Sequence, residues 1–188
     1  SVVYSAVIPI GGNHITQDIA QCLRTPPYAA EELKKSYGYA LASMVERDSY
    51  VDIPVVGGRG MQNIPKNLLA EVIEARMKET LTIINNELKK SEYYDLLSSG
   101  IVLTGGTSLL KGITELSDII FDMPVRKGWP TNFGGLKNIV QSPIYSTAVG
   151  LIIYGSKSER PVNKLVVRGK GFCDKVKNNV QMWYDELF

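Results

Sequence analysis

The spacing of apolar residues changes several times along the chain, and each change marks an element. Residues 2–10 alternate and are rich in β-branched side chains, which predicts a strand with Pro9 near its end. Gly11-Gly12-Asn13 reads as a turn. Beyond it Ile15, Ile19, Ala20 and Leu23 share one face of a helix over 14–23. Thr25-Pro26-Pro27 breaks that helix, and a second one over 29–37 stops at Gly38. Residues 39–45 and 50–56 then read as a strand pair turning through Arg47-Asp48-Ser49, followed by a loop at Gly57-Gly58-Arg59-Gly60. Pro65 opens the longest helix, where its missing N–H costs nothing. Leu69, Ile73, Met77, Leu81, Ile84 and Leu88 form one stripe, so the helix should run to about residue 90.

The second half is punctuated by GIVLTGGTSLLKG, residues 100–112. Ile101, Val102 and Leu103 read as a short buried strand ending in Thr104-Gly105-Gly106-Thr107. A helix carrying Leu109, Leu110 and Ile113 is expected directly behind, running to about residue 121. A short strand near 124–126 and a Gly/Pro/Asn-rich loop over 128–135 follow. Residues 142–155 predict a buried helix with Pro143 in its first turn, and Ser146, Ala148 and Gly150 would allow close packing. Residues 156–169 are polar and read as a linker.

In the terminal segment, 170–188, Phe172, Cys173, Val176, Val180, Trp183, Tyr184 and Leu187 fall within an arc of roughly 120° on a helical wheel, with Met182 the misfit. Such a helix can fold back on its own domain or lie in a membrane surface. The preceding linker favours the membrane. Lys164, Arg168, Lys170, Lys175 and Lys177 would favour anionic lipid, while Asp174, Asp185 and Glu186 dilute that charge. Membrane contact is therefore expected from Phe172, Val176, Val180, Trp183 and Leu187.

Composition narrows the chemistry. The 188 residues are 44% hydrophobic and carry a net charge of +2, which gives no global argument for nucleic acid or an acidic substrate. Cys22 and Cys173 stand alone without a CxxC pair, and no disulfide or zinc site is expected. His14 is the only histidine, which excludes multi-histidine metal sites and argues against a Ser-His-Asp triad. It reads as a surface or helix-N-terminal residue. No run of about 18 apolar residues occurs, so no spanning helix is expected. The opening residues lack the pattern of a signal peptide, and a reducing, cytoplasmic setting is the default.

Three patches have the character of one binding site. Gly11-Gly12-Asn13 ends a strand and permits close approach of backbone to a sugar or phosphate. Glu31 and Lys34 lie three apart on one helix face and could offer a carboxylate acceptor and an ammonium donor to ribose hydroxyls. Gly105-Gly106-Thr107 would supply a flat backbone platform, reinforced by the positive end of a following helix. Plainer readings remain open: a tight strand-to-helix turn for the glycines, and a solvated ion pair for Glu31 and Lys34. No GxxxxGK loop and no acidic cluster for Mg²⁺ is present, and no catalytic residue is assigned.

These residues carry a family resemblance. GIVLTGGTSLLKG resembles the adenosine motif of the actin, heat-shock chaperone and sugar kinase superfamily. The whole chain is similar to the C-terminal part of FtsA, the bacterial cell-division actin homologue. The matching stretches are VIPIGGNHITQDIA (7–20), AEELKKSYG (30–38), VDIPVVGGR (51–59), LAEVIEARMKE (69–79), GIVLTGGTSLLKG (100–112) and SPIYSTAVGLIIYG (142–155), with the terminal amphipathic helix behind them. The resemblance implies an α/β, actin-like (ribonuclease-H-like) ATPase fold. Residues 1–24 and 95–155 would form one subdomain, and 25–94, a β-hairpin with flanking helices, an inserted upper one. ATP, with Mg²⁺ in the complete protein, would sit near Gly12, Glu31, Lys34, Gly105 and Gly106. Thr107 stands where the family is variable.

The resemblance further implies an adaptor rather than a metabolic enzyme. It would polymerise, bind the C-terminal tail of the tubulin homologue FtsZ through the inserted subdomain, meet other division proteins, and hold the filament to an anionic membrane by its terminal helix. Its place would be the cytoplasmic face of the cell membrane at the division site. Arg76 matches a position at the tail-binding surface; its alternative is an exposed helix residue paired with Glu79 or another Glu. Competing classes are a sugar-kinase-type enzyme and a pilus-assembly or cell-shape actin homologue. The family pattern places a first ribonuclease-H-like half, a division-specific insert and a phosphate-binding loop before Val2. The chain is therefore expected to be a fragment or incomplete reading frame, to begin on the third strand of a five-stranded sheet with an unpaired edge, and to bind ATP weakly or not at all alone.

Overall fold

The computed structural model describes residues 2–58, 60–97, 99–131 and 140–157. The chain divides into two compact units, Ser1–Leu151 and Ile152–Phe188, and of the second only 152–157 are described. The amphipathic helix expected over 170–188, and most of the linker before it, lie outside the described residues.

Two helices open the first unit, α1 (Gly12–Cys22) and α2 (Pro27–Tyr37). Both agree with the apolar spacing, and α2 begins on a proline, whose fixed φ suits the first helical position. The long helix α3 (Lys66–Lys89) buries Leu69, Ile73, Met77 and Leu81 of the predicted stripe, with Ala70 beside them, and leaves Ile84 and Leu88 half-buried. Leu69, Ile73, Met77 and Leu81, with Ile15, Ile19, Leu33, Ile113, Leu116 and Phe121, form one hydrophobic cluster. Each such side chain taken fully from water contributes about 1.5–3 kcal/mol.

Between α2 and α3 lies an antiparallel hairpin, β1 (Tyr50–Pro54) and β2 (Met61–Pro65), registered with Tyr50 opposite Pro65 and Pro54 opposite Met61. This corrects the expected pairing of 39–45 with 50–56. Residues 39–45 make a single parallel bridge, Tyr39 to Lys111, and then a 3-10 turn over Ala42–Met44. The Ala42 N–H, which a ladder would need, is bound by the Glu74 carboxylate of α3 at 2.6 Å. The glycine-rich stretch read as a loop beyond the hairpin is in fact its connection.

The second sheet is parallel: β3 (Ile101–Leu103) pairs with β4 (Val125–Lys127), joined through α4 (Ile113–Phe121). The helix expected directly after Gly105-Gly106 is displaced. Gly106–Leu109 form a four-residue 3-10 turn, the chain straightens at Leu110, and α4 starts only at Ile113 from a left-handed Gly112 with φ 76°. Leu109 and Leu110 thus precede the helix. So short a turn offers no helix dipole to a ligand.

Two further expectations change. Residues 2–10 form no strand, and Val2, Val3 and Val7 are exposed, because a strand requires a ladder partner and none exists among the described residues. Tyr4 is held instead by a 2.9 Å hydrogen bond donated to Glu87. The last described helix, α5 (Ser146–Lys157), follows a 3-10 turn over Pro143–Tyr145. It is not a buried helix: Pro143 and Val149 are covered, whereas Ala148, Gly150 and Leu151 face solvent. Its apolar residues surround the axis, and among the described residues only one side finds a neighbour.

Candidate functional site

The three patches singled out in the sequence meet at one cleft of about 780 Å³. Gly11, Gly12, Asn13 and His14 come from the start of α1, and Glu31, Lys34 and Lys35 from α2. Gly106, Thr107, Leu109, Leu110 and Lys111 come from the turn behind β3, with Ile144 from the segment before α5. Gly105 does not line the cleft; it stands one residue behind the wall at φ 94°, a left-handed conformation that favours glycine.

Gly12 is required by close approach. A Cβ at this position would lie 2.8 Å from Thr107 Oγ1 and 3.6 Å from Lys34 Nζ, so three elements converge where a side chain would stand. His14 lies on the first turn of α1, its Nδ1 3.2 Å from the Gly11 N–H, in agreement with its reading as a helix-N-terminal residue. The far wall is fastened to the segment that follows α2 by the Ala40 N–H, which donates to the Lys111 carbonyl at 2.7 Å. The Lys111 ammonium also donates to the Tyr39 hydroxyl at 3.2 Å and lies 4.8 Å from that ring's centre.

Glu31 and Lys34 form more than a solvated surface pair. Lys34 Nζ donates to Glu31 Oε2 at 2.6 Å, to Thr16 Oγ1 at 2.8 Å and to the Gly12 carbonyl at 3.0 Å. These three bonds use the three donors of an ammonium group. Its side chain is 13% exposed and that of Glu31 30%. Burial pushes the Glu31 carboxyl up, but hydrogen bonds from Lys34 and Thr16 and the charges of Lys34 and Lys35 outweigh it and hold the carboxyl below its ordinary value. Sequence spacing revealed Glu31 and Lys34. It missed Thr16, one helical turn from Gly12, because that residue joins them only when α1 packs on α2.

A smaller cavity of about 240 Å³ adjoins the cleft, lined by Ile10, Met77, Leu81, Ile84 and Leu103 and sharing Gly11, Gly12 and Thr107 with it. Arg76 lies on α3 and lines neither cavity. Its guanidinium forks onto the Asp18 carboxylate of α1, with Nη2 2.9 Å from Oδ1, and its Nη1 donates to Glu79. The expected pairing with Glu79 is present, and Asp18, 58 positions away on α1, is a partner that local spacing does not reveal. Among the described residues no group of three or more His, Cys, Asp or Glu side chains could hold a metal ion. Phe172, Val176, Val180, Trp183 and Leu187 lie outside the described residues.

The fold as a whole is shared by solved proteins. A crystal structure of MreB 5 of Spiroplasma citri bound to AMPPNP overlays with a TM-score of 0.65 at 20% identity, covering 83% of this chain and 46% of that one. The same protein bound to ADP gives 0.65 at 19% identity. The fold is therefore that of the actin-like α/β proteins, as the sequence resemblance implied.

The family model described as "Cell division protein FtsA" matches residues 1–150. The cell division protein FtsA of Pseudomonas aeruginosa is 44% identical over 172 residues, covering 92% of this chain and 41% of its own length. That of Escherichia coli K12 is 41% identical over 179 residues, covering 89% and 43%. The chain belongs to the FtsA family of cell-division proteins, and it spans about two-fifths of the length of these curated relatives.

Proposed function

We propose that this chain forms the adenosine-holding side of an actin-like division protein that tethers FtsZ filaments to the cytoplasmic face of the membrane. The observation that carries the reading is the convergence of Gly12, Glu31, Lys34 and Gly106 on one cleft, backed by Gly105. The cleft's chemistry suits an adenine nucleotide. Leu109, Leu110 and Ile144 offer apolar surface to a base, Glu31 an acceptor to sugar hydroxyls, and Lys35 and Lys111 positive charge to an anion. The Gly12 approach leaves no side chain in the way. The solved actin-like neighbours that hold AMPPNP and ADP support the same reading. ATP, with Mg²⁺, would supply the negative charge and the metal; the residues here bind and orient the nucleoside and perform no bond-breaking step.

The remaining parts of the function are proposed with it. Residues 1–24 and 95–155 form one subdomain and 25–94 the inserted one, whose α3 receives the FtsZ tail at Arg76. The helix over 170–188 binds anionic lipid through Phe172, Val176, Val180, Trp183 and Leu187, and the assembled protein self-associates into filaments and meets other division proteins. Amide NMR of the chain, titrated with ADP into the millimolar range, tests the cleft. Saturable shifts are expected at Gly12, Glu31, Lys34 and Gly106, and their absence would remove the nucleotide reading.

A further inference from the structure

The carboxylate of Glu31 is bonded unequally. Oε2 accepts from Lys34 at 2.6 Å and from the Thr16 hydroxyl at 2.5 Å, whereas Oε1 has Lys35 Nζ at 3.5 Å, and that lysine is 60% exposed. One oxygen is thus held and the other is available on the wall of the cleft. Thr16 is held in turn. Its hydroxyl accepts from Lys34 at 2.8 Å and has one proton to give, directed either to Glu31 or to the Gly12 carbonyl at 3.2 Å. The shorter contact and the negative charge favour Glu31.

We propose that Thr16 is a positioning residue of this cleft: with Lys34 it fixes Oε2 of Glu31 and leaves Oε1 as the acceptor that recognises the paired hydroxyls of a ribonucleoside. The inference rests on the nucleotide reading above and assigns its hydroxyl selectivity to a residue on a different helix. Lys34 acts in the same way. Its three donors are occupied within the chain, so it can reach a ligand only by releasing the Gly12 carbonyl, Thr16 or Glu31. One lysine therefore fixes both the glycine turn and the sugar acceptor, which couples the α1 and α2 walls of the cleft.

The experiment compares adenosine with 2′,3′-dideoxyadenosine on the full chain by NMR titration, for the wild type, Thr16→Val and Thr16→Ser. The wild type should prefer adenosine by about tenfold, as expected when a hydrogen bond to a charged group is lost. Thr16→Val should erase that preference while keeping the affinity for the dideoxynucleoside, and Thr16→Ser should restore it. The Glu31 carboxyl, followed by carbon-detected pH titration without ligand, should move upward in Thr16→Val and return in Thr16→Ser. Burial raises this titration, and Lys34 and Lys35 of the same helix and Thr16 across from it are the groups that lower it. A Thr16→Val chain that keeps both the preference and the Glu31 titration overturns the proposal alone. A wild type that binds neither nucleoside overturns the nucleotide reading and the proposal with it.

Discussion

At the scale of single residues, the chain uses carboxylates to fasten backbone that no pattern would assign to them. Glu74 shows this most clearly, because its Oε2 accepts from the Ala42 N–H while Oε1 pairs with Lys78 at 2.6 Å. Burial pushes its carboxyl up; the Ala42 hydrogen bond and Lys78 outweigh that effect and hold it below the ordinary value of 4.5. A group whose folded value is depressed stabilises the fold above its unfolded value and loses that contribution as pH falls through the folded one. Glu74→Gln should therefore cost about 1 kcal/mol at neutral pH. The gap to the wild type should close progressively below about pH 4.5. Urea denaturation at a series of pH values checks this, and a gap that stays constant into acid would exclude the mechanism. Glu31 and Lys34 were legible because their spacing is local. Glu74 and Thr16 were not, because their partners lie 32 and 15 positions away on other elements.

Among elements, the first three helices were readable, whereas the start of α4, the burial of α5 and the strand pairings were not. The α3 stripe follows directly from apolar periodicity, because a helix satisfies its own backbone and needs the core only for one face. A strand depends on a distant partner, so residues 2–10 and 39–45 could look β-like and still form no ladder among the described residues. The hairpin was decided by Ile53 and Ile64, which point into the core from registers that local alternation does not fix. Helix-to-helix contacts had the same limit, as the Arg76–Asp18 fork between α3 and α1 shows. Both side chains are about one-quarter exposed, so a double-mutant cycle with Arg76→Ala and Asp18→Ala should give a coupling of about 1 kcal/mol. This changes how Arg76 must be tested as a binding residue. Arg76→Glu would place three carboxylates together and loosen α1 from α3, losing an FtsZ tail through misfolding as readily as through a lost contact. Asp18→Asn breaks the fork's charge while keeping Arg76. If Arg76 receives the tail, peptide capture should survive Asp18→Asn and fail in Arg76→Ala. Equal loss in both would make Arg76 a structural residue only.

For the whole molecule, the proposed reading gives the cleft, the arginine-bearing helix and the terminal segment separate tasks of holding and positioning. Among the described residues no helix is long and apolar enough to cross a membrane. The attachment proposed for this chain is of the interfacial kind, for which a surface helix needs an apolar arc and either anionic lipid or deep aromatic insertion. In 170–188 the acidic Asp174, Asp185 and Glu186 offset the basic approach, so apolar insertion of Phe172 and Trp183 should dominate, with charge as the weaker contribution. That ordering separates two outcomes in vesicle flotation. The full chain should float with anionic vesicles, and a chain ending at residue 169 should remain in solution. Raising the salt should reduce flotation only partly, because screening removes the electrostatic share and leaves burial of apolar surface intact. Trp183→Ala should lower flotation more than Lys175→Ala. Equal flotation of the two chain lengths would remove the terminal segment from the membrane role, and complete release by salt would reverse the order of the two contributions.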